Sequence, residues 1–391
     1  MPTLNKTELE VRHCDTIFGS EDLETLCEIP NYPVYMGCTE ENSENDIFAA
    51  QSWQISRSTG VLQLKYLVPL DLVYLEQHND SYGKTWNEHH QRFSNLITSS
   101  GVSRVLEVGG ATGRLASLID TQSIKWEIIE PNSTKIPGVL IHNRFFDEKF
   151  THAHINEYEA VVHSHCFEHM YNPLEFLENC KKVLKADGKM IFSVPNMHEM
   201  LKRKYTNCIN FEHTYFLPEK LIDYLLEVSM FEVIKKEYYR DDHSIFYTCI
   251  KRCMDQERVK PAEEWAKLSS KMYIENKQLF GSYIEYHRNV VESINREISG
   301  ISEDINVYLF GAHVFSQFLI FNGLRTSRIK CILDNSNLKT GKRLYGTSLY
   351  VSKPSILAHE KNPIVILKAG PYDDEIKADI LESVNASTRF V

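Results

Sequence analysis

The sequence predicts an α/β protein made of two strand–helix units, preceded by a small mixed segment. Three observations support this class. From residue 103 to about residue 250, short apolar runs alternate with stretches whose apolar residues recur at helical spacing. A second alternation of this kind starts near residue 303, and the charge-rich residues 254–302 between the two have a helical pattern. Alternating strands and helices are typical of a mostly parallel sheet covered on both faces.

Composition and charge exclude several classes of protein. The 391 residues are too many for one ordinary core. A formal net charge of −10 argues against a general nucleic-acid partner, because phosphate binding requires a basic surface. No apolar run approaches the roughly 18 residues that span a bilayer, and the N-terminus lacks the apolar core of a signal peptide. Nine scattered cysteines without a C-x-x-C pair indicate free thiols. We therefore expect a cytoplasmic protein without nucleic-acid or membrane partners.

The chain divides into four predicted segments. They are an N-terminal substrate-side segment at 1–80, a first α/β domain at 81–253, a helical linker at 254–302 and a second α/β domain at 303–391. The stretch "TWNEHHQRFSNLITSSG" predicts a helix that stops at Gly101, with His89 and His90 as surface or helix residues rather than ligands.

Within the first α/β domain the order of elements is regular. The predicted strands are "RVLEVGG", "KWEIIEPN", "EYEAVVHSH" and "KMIFSVPN", and the predicted helices are "RLASLID", "NPLEFLENCKKVLKADG" and "PEKLIDYLLEVSM". The runs "FEVIKKEYY" and "SIFYTCIKR" follow with no helix between them. They predict an antiparallel hairpin at the sheet edge.

A glycine turn after the first of these strands predicts a cofactor site. In "VLEVGGATGRL", Gly109, Ala111 and Gly113 lie where a buried strand turns toward a helix, so that the backbone can approach a ligand closely. Glu107 precedes the turn and suits a positively charged amino group. Glu130 ends the second strand, where an acid accepts hydrogen bonds from ribose hydroxyls. A cofactor with an ammonium group, a ribose and no phosphate is S-adenosylmethionine.

At these residues the chain resembles the class I S-adenosylmethionine-dependent methyltransferases, over residues 103 to about 250. The resemblance implies a Rossmann-like sheet with an antiparallel final hairpin. It also implies that Phe146 and Asp147 lie near the adenine ring and that His165 lies beside the cofactor. Two alternatives stay open, a Rossmann-like domain without a cofactor and a plain core role for Phe145 and Phe146.

The second α/β unit contains another glycine turn, "VYLFGAHVFSQFL", with Asp334 ending the next strand. His313 and Ser316 occupy positions where a dinucleotide motif has glycine, and their side chains would obstruct a pyrophosphate. We therefore expect a Rossmann-like domain without a nicotinamide cofactor. A nicotinamide-dependent sugar oxidoreductase remains the alternative from another class.

Two later stretches are similar to the C-terminal domain of the deoxysugar C-methyltransferases, "LDNSNLKTGKRLYGTSLYVSKP" and "VILKAGPYDDEI". In that family the substrate is a nucleotide-linked sugar bound between domains, and an N-terminal segment binds zinc through cysteines. Here Ser56 and Thr59 stand where two cysteines are expected, and only His13 and Cys14 remain near the first pair. Because structural zinc needs four ligands, we expect a degenerate segment that folds without metal.

The stretch "NFEHTYFLP" supplies the predicted catalytic residues. It resembles the Tyr-x-Glu-His motif of those enzymes, with Asn210 in the tyrosine position. The resemblance implies that His213 is the general base, with Glu212 as its orienting carboxylate or as a ligand of a sugar hydroxyl. His169 is a secondary acid or base. A structural histidine is the alternative for His213, and loop support is the alternative for His169.

Four residues are predicted to bind the substrate. They are Tyr82, Asn210, Tyr215 and His243. An exposed loop is the alternative for Tyr82, as it is for the nearby His78, and a solvated turn is the alternative for His243. His163, His165 and His169 are close in sequence, but without a further ligand of known orientation we expect no metal.

The sequence as a whole predicts a methyltransferase acting on a sugar, with a nucleotide-sugar or sugar substrate. O-methylation is favoured because Asn210 replaces the tyrosine that could stabilise an enolate. C-methylation of a nucleotide-linked ketosugar and a non-catalytic sugar-binding protein are the alternatives.

Overall fold

The computed structural model describes residues 3–4, 8–76, 83–252 and 261–391, without the side chains of residues 261–264 and 266–267. Among the helices in these ranges, none is long and apolar enough to cross a membrane. The eight cysteines that the structure describes are all free thiols.

The N-terminal segment contains a small antiparallel sheet. Its elements are β1 Glu10–Val11, β2 Leu23–Pro33, β3 Cys38–Thr39, β4 Phe48–Ser56, β5 Leu62–Leu64, β6 Tyr66–Leu67 and helix α1 Leu70–Val73. Strands β2, β4 and β5 form one sheet, and β1 pairs with β6. Most of β4 is buried, including Trp53 and Ile55. These side chains belong to a hydrophobic core that continues into the next domain.

The first α/β domain is built on a seven-stranded sheet. Its strands are β7 Arg104–Val108, β8 Lys125–Ile129, β9 Leu140–His142, β10 Tyr158–Ser164, β11 Leu184–Pro195, β12 Phe231–Tyr239 and β13 Ser244–Lys251. Their order across the sheet is β9-β8-β7-β10-β11-β13-β12, and only the β13 pairings are antiparallel. The predicted α/β class, the mostly parallel sheet and the closing hairpin are confirmed.

Helices cover both faces of this sheet. They are α2 Lys84–Ser99, α3 Glu148–Ala153, α4 Pro173–Val183, α5 Met197–Lys202, α6 Glu219–Val228 and α7 Arg240–His243. Local sequence sets their starts. Asn172 accepts the N–H of Glu175 at the start of α4, and Pro173 follows it where a missing N–H costs nothing.

One predicted helix was wrong. "RLASLID" forms only a 3-10 turn at Ala116–Leu118. The turn of the chain at Asp120 explains this, because its side chain accepts the N–H of Gln122 and the hydroxyl of Ser123. Too few residues remain between the glycines and Asp120 for a stable helix.

The last part of the chain consists of a long helix and a parallel sheet. The elements are α8 Pro261–Ser299, β14 Val307–Phe310, α9 Val314–Phe321, β15 Ile329–Leu333, β16 Arg343–Leu344, β17 Val351–Ser352, β18 Ile364–Ile366, α10 Asp373–Asp379 and β19 Arg389–Phe390. The sheet order is β17-β15-β14-β18-β19, all parallel. This five-stranded parallel sheet has a Rossmann-like strand order.

Helix α8 packs on the N-terminal sheet. Trp265 Nε1 donates to the carbonyl of Thr59, and Asn276 Nδ2 donates to the carbonyl of Gly60 at 2.9 Å. Gly60 allows this approach, since a Cβ there would lie 2.6 Å from the backbone nitrogen of Tyr273. Helix α8 therefore stabilises the N-terminal segment through contacts with Thr59 and Gly60.

Candidate active site

The glycine turn after β7 lines a cavity of about 250 Å³ at the carboxyl ends of the central strands. Gly109 and Ala111 have φ values of 74° and 46°, in the left-handed region that the turn requires. Gly109, Gly110 and Ala111 line the cavity. Gly113, predicted to contact the cofactor, does not line it, and it packs so closely on Ile136 that a Cβ would lie 1.8 Å from Ile136 Cδ1.

The rest of the cavity wall comes from four parts of the chain: the residues before β7, those from β7 to just after β9, residues 164–171, and Glu212. The residues before β7 that line it are Leu70, Tyr74, Glu76, Trp86 and His90. From β7 to the residues after β9 they include Glu107, Glu130, Asn132, Phe145 and Phe146. The remaining lining residues include Ser164, His165, Cys166, His169, Met170, Tyr171 and Glu212. Two of the predicted catalytic residues, Glu212 and His169, thus line the same cavity as predicted cofactor residues, whereas His213 does not line it.

Glu107 lies in the cavity wall as a buried carboxyl group. Its side chain accepts a hydrogen bond of 2.7 Å from Trp126 Nε1, and the residue is 3% exposed. Burial raises the pKa of Glu107 to about 7, against the lowering effect of the Trp126 bond, and the nearby Glu130 adds to the rise. A cationic group in the cavity would relieve this cost. The binding of an ammonium group by Glu107 stays a prediction, with which this buried position is compatible.

The predicted adenosine residues separate into two groups. Glu130 lies just after β8 in the cavity wall and accepts the backbone N–H of Asn132. Phe146 also lines the cavity and packs edge-on against Phe176. Asp147 does not line it. Its carboxylate caps α3 by accepting the N–H of Phe150. The structure thus gives Asp147 a helix-capping role and does not bring it to the cavity.

Glu168 is a buried acid that the sequence pattern did not single out as a functional group in its own right. It is 1% exposed, and among the described residues neither carboxylate oxygen has a hydrogen-bond partner. Oε1 lies 3.8 Å from His165 Nδ1 and 3.9 Å from His169 Nε2. Burial, followed by the nearby Glu212, raises the pKa of Glu168 to about 8. A buried carboxyl group with a raised pKa therefore lies between two cavity histidines.

The segment containing Glu212 and His213 is fixed over the cavity by the N-terminal sheet. Leu64 donates its N–H to the carbonyl of Thr214, and Phe216 donates its N–H to the carbonyl of Leu62. These bonds extend the β4–β5 sheet with an isolated bridge between Gln63 and Tyr215. An irregular segment between two ordered elements is in this way held as an extra strand.

Asn210 shapes the turn before that strand. Its side-chain oxygen accepts the backbone N–H groups of Glu212 and His213, each at 2.8 Å. Asn210 and Tyr215, predicted to bind substrate, do not line the cavity. Tyr215 is fully buried, and its hydroxyl donates to the carbonyl of Phe167 at 2.7 Å. The geometry gives both residues a positioning role.

Glu212 and His213 point in different directions. Glu212 lines the cavity, and its Oε2 lies 3.6 Å from His169 Nδ1, so that its histidine partner is His169 and not His213. His213 Nδ1 lies 2.9 Å from the carbonyl oxygen of Cys208. The His213 ring is 5.4 Å from the His169 ring. Because a carbonyl only accepts, this contact puts the His213 proton on Nδ1 and the lone pair on Nε2.

Burial keeps His213 neutral, since it lowers the pKa of this histidine, while the Cys208 carbonyl and Glu212 partly oppose the fall. His169 Nδ1 is also 3.2 Å from the hydroxyl of Tyr74. Tyr74 lines the cavity and was missed because nothing in its local sequence marks it. The predicted base and its neighbours thus form a polar cluster at one end of the cavity.

The remaining predicted residues have varied positions. Tyr82 and the nearby His78 lie outside the described residues. His243 is buried, with Nδ1 2.6 Å from the hydroxyl of Ser244, so the solvated turn is wrong for this side chain. His89 and His90 lie in helix α2, as one of their two expected placements had it, but they are 0% and 6% exposed and so are not surface residues. His163 is in the core, stacked on Phe192.

The N-terminal segment has a hydrogen-bonded network where the resemblance places a zinc site. Asp15 accepts the N–H groups of Phe18 and Ser20 and the hydroxyl of Thr59. The Ser56 hydroxyl donates to Asp22 at 2.7 Å. His13 and Cys14 belong to neither group of potential metal ligands in the described part of the chain.

The backbone of the second glycine turn, after β14, is hydrogen-bonded to a carboxylate of the same domain. Asp334, at the position expected for a ribose ligand, accepts the backbone N–H of Ala312 at 2.8 Å. Its other oxygen accepts the N–H of Ser336. The carboxylate is therefore engaged with the backbone of the turn that a dinucleotide would have to approach.

Comparison with known proteins identifies the first α/β domain. Residues 77–236 match the family model described as "Methyltransferase domain". The match covers less than half of the chain. No curated protein matches the sequence.

Many solved structures have a similar domain. A 1,6-didemethyltoxoflavin-N1-methyltransferase from Burkholderia thailandensis, with bound S-adenosylhomocysteine, is 15% identical, with 44% of this chain and 82% of that chain covered and a TM-score of 0.34. An O-methyltransferase family protein from the same organism is 11% identical over 44% and 57% of the two chains, with a TM-score of 0.36. The CurJ carbon methyltransferase is 8% identical over 44% and 56%, with a TM-score of 0.35.

The chain therefore contains a methyltransferase domain, and S-adenosylmethionine is its cofactor. The cofactor fits the residues present, because the cavity offers the buried acid Glu107 for the ammonium group and the strand-end acid Glu130 for the ribose. When bound, it supplies an electrophilic methyl group on sulfur.

Proposed function

We propose that the domain methylates a hydroxyl group of a sugar carried on a nucleotide, with His213 as general base. The contact between His213 Nδ1 and the Cys208 carbonyl carries this proposal, because it leaves the lone pair on Nε2, and the His213 ring lies 5.4 Å from the ring of His169, which lines the cavity. The cofactor, held by Glu107 and Glu130, would supply the methyl group, and His213 Nε2 would take the proton of the acceptor hydroxyl. The products are a methyl ether and S-adenosylhomocysteine.

The chemistry of the cavity wall supports a polyhydroxylated acceptor. Glu76, Asn132 and Glu212 provide hydrogen-bond acceptors, and Tyr74 provides a hydroxyl. The nucleotide carrier rests on the resemblance of the N-terminal segment and the last domain to the deoxysugar C-methyltransferases.

C-methylation of a ketosugar is the second candidate, and Tyr74 is the observation that favours it. Burial raises the pKa of Tyr74 well above its usual value, so its hydroxyl remains a donor. It lies 3.2 Å from His169 Nδ1 in the cavity wall. A phenol at this position would stabilise an enolate oxygen, the role for which Asn210 is unsuited.

Calorimetry tests the substrate class. S-adenosylhomocysteine is titrated into the protein, and then GDP, dTDP and UDP are titrated into that complex. We expect binding of S-adenosylhomocysteine and of one nucleotide in preference to the others. Binding of S-adenosylhomocysteine with none of the nucleotides would overturn the nucleotide-sugar substrate.

Matched variants test the base. His213→Gln should lower kcat by about 10²-fold or more while the affinity for S-adenosylhomocysteine is unchanged. His198→Gln, at an exposed position, is the control and should retain full activity. Full activity of His213→Gln would exclude this histidine as the base. Solvent deuterium exchange next to the carbonyl of a ketosugar, in the presence of S-adenosylhomocysteine, would select C-methylation over O-methylation.

A further inference from the structure

Three buried histidines and the partly buried His165 surround Trp86 beside the cofactor cavity. His89 and His90 come from α2, His165 follows β10, and His243 ends α7. The ring of His89 is 5.2 Å from His90, 5.5 Å from His165 and 5.4 Å from His243. The positive φ of 49° at His165 turns its side chain toward this group. Three separate parts of the fold thus converge here.

Three of these residues have the spacing of a metal site. One donor nitrogen from each of His89, His165 and His243 lies within 4.8 Å of the other two. In a tetrahedral zinc site, with bonds of about 2.0–2.1 Å, ligand nitrogens are about 3.4 Å apart. Side-chain rotations that move each of the three nitrogens by about 1 Å would therefore bring them to coordination distance.

The hydrogen bonds in this group leave one ring nitrogen of His89 unused. His89 Nε2 is 2.9 Å from the hydroxyl of Ser193, whereas within the described part of the chain Nδ1 has no hydrogen-bond partner. Such a buried group is costly unless a ligand compensates. The hydroxyl of Ser244 is 2.8 Å from His165 Nε2 and 2.6 Å from His243 Nδ1, so it lies next to one nitrogen of each of these two histidines.

The chemistry of the donors indicates the kind of ion. Charged groups of both signs lie around the three histidines. They include Arg92 near His89, Arg240 and Asp242 near His243, and Glu168, whose Oε1 lies 3.8 Å from His165 Nδ1. Imidazole nitrogens favour zinc, nickel or cobalt over magnesium or calcium.

We propose that His89, His165 and His243 bind one divalent transition-metal ion of the zinc type. His165 lines the cofactor cavity, so the ion would have a coordination position on that side. His243 Nε2 is 3.3 Å from the hydroxyl of Tyr372 in the last domain, which is an outer partner of the kind that orients metal ligands. The ion would join α2, the end of β10 and the closing hairpin, and would connect them to the last domain.

Metal titration of the full chain tests the site. The protein is first treated with a chelator and dialysed. Zn²⁺ is then titrated by calorimetry, and Co²⁺ binding is followed by its visible absorption, which reports coordination number. We expect one ion per chain and a tetrahedral or five-coordinate Co²⁺ spectrum. A chain that binds neither ion would overturn the proposal.

Variants locate the ion. His243→Gln and His89→Gln should each weaken Zn²⁺ binding at least 10-fold, with folding checked by circular dichroism. His152→Gln, at an exposed position, should leave it unchanged. His213→Gln tests the second possible ligand group, which consists of Glu168, His169 and His213. Loss of binding in His213→Gln with retention in His243→Gln would move the ion to that group and overturn the assignment. Because the readout is metal binding, its result is independent of the proposed sugar methylation.

Discussion

Arg343 and Asp46 form a buried ion pair between the last domain and the N-terminal segment. The two contacts between guanidinium nitrogens and carboxylate oxygens are 2.6 and 2.8 Å, and the side chains are 5% and 1% exposed. Arg343 also donates to the carbonyls of Glu41 and Thr347, and Asp46 accepts the N–H of Gly346. Nearly every polar atom of the pair is therefore engaged. The pair therefore joins the last domain to the N-terminal segment.

Removing one partner should strongly destabilise the fold. Asp46→Ala leaves a buried guanidinium without its counter-ion, and we expect the free energy of unfolding to fall by about 3–5 kcal/mol. Urea denaturation measures this. The exposed pair of Lys271 and Glu275 is the control, and Lys271→Ala should change stability by less than about 0.5 kcal/mol. A loss below about 1 kcal/mol in Asp46→Ala would mean that the two ends of the chain are not coupled through this pair.

The N-terminal network predicts stability without zinc. Asp15→Asn replaces one carboxylate oxygen by an amide that faces N–H donors, and we expect a loss of about 1.5–3 kcal/mol in urea denaturation. Cys14→Ser, at a partly exposed position beside it, is the control and should change neither stability nor bound zinc. Loss of zinc in Cys14→Ser would show that this segment is a metal site after all.

Several predicted cofactor residues line one cavity, and the sequence could indicate this because strand ends and glycine turns are local features. Glu107, Gly109 and Glu130 follow apolar strands, and parallel strands bring their carboxyl ends to one edge. The direction in which a loop side chain points depends on tertiary contacts, which local sequence does not show. The pattern could not show that Tyr215 turns into the core, because this depends on pairing with Gln63, far away in the sequence.

The histidines show the same limit. His89 lies on the buried face of α2, which the apolar spacing around Phe93 could have indicated. Glu168 precedes His169 in sequence, but its orphaned carboxyl group depends on the packing of three loops. The pairing of Glu212 with His169 likewise arises from the strand that the N-terminal sheet adds over the cavity.

Two buried carboxyl groups predict a pH dependence of stability without cofactor. The folded pKa values of Glu107 and Glu168, about 7 and about 8, lie above the ordinary value of 4.5. The folded protein therefore holds protons that the unfolded chain releases. This contribution is fully present below about pH 4.5 and is lost as pH rises through about 7 and about 8. Glu107→Gln and Glu168→Gln should each flatten the fall in unfolding free energy relative to the wild type, measured by urea denaturation between about pH 5 and 8.

Comparison with the wild type at each pH removes the opposite effect of the buried histidines, whose lowered pKa values make stability rise with pH. Equal slopes in the wild type and Glu107→Gln would mean that Glu107 is ionised throughout this range.

Cofactor affinity should change with pH in the opposite direction. Ionised Glu107 attracts the ammonium group, so the affinity for S-adenosylhomocysteine should rise as pH increases through about 7. Glu107→Gln should bind S-adenosylhomocysteine about 10-fold or more weakly at pH 8, with a flatter pH dependence, because the charge-assisted hydrogen bond is lost. Glu168→Gln is the matched control, since it removes a buried carboxyl group that faces His165 and His169. Calorimetry at a series of pH values separates the two variants. If Glu107→Gln kept wild-type affinity at pH 8, the ammonium group would have to be bound by another residue of the cavity, and Glu130 would be the next acid to replace.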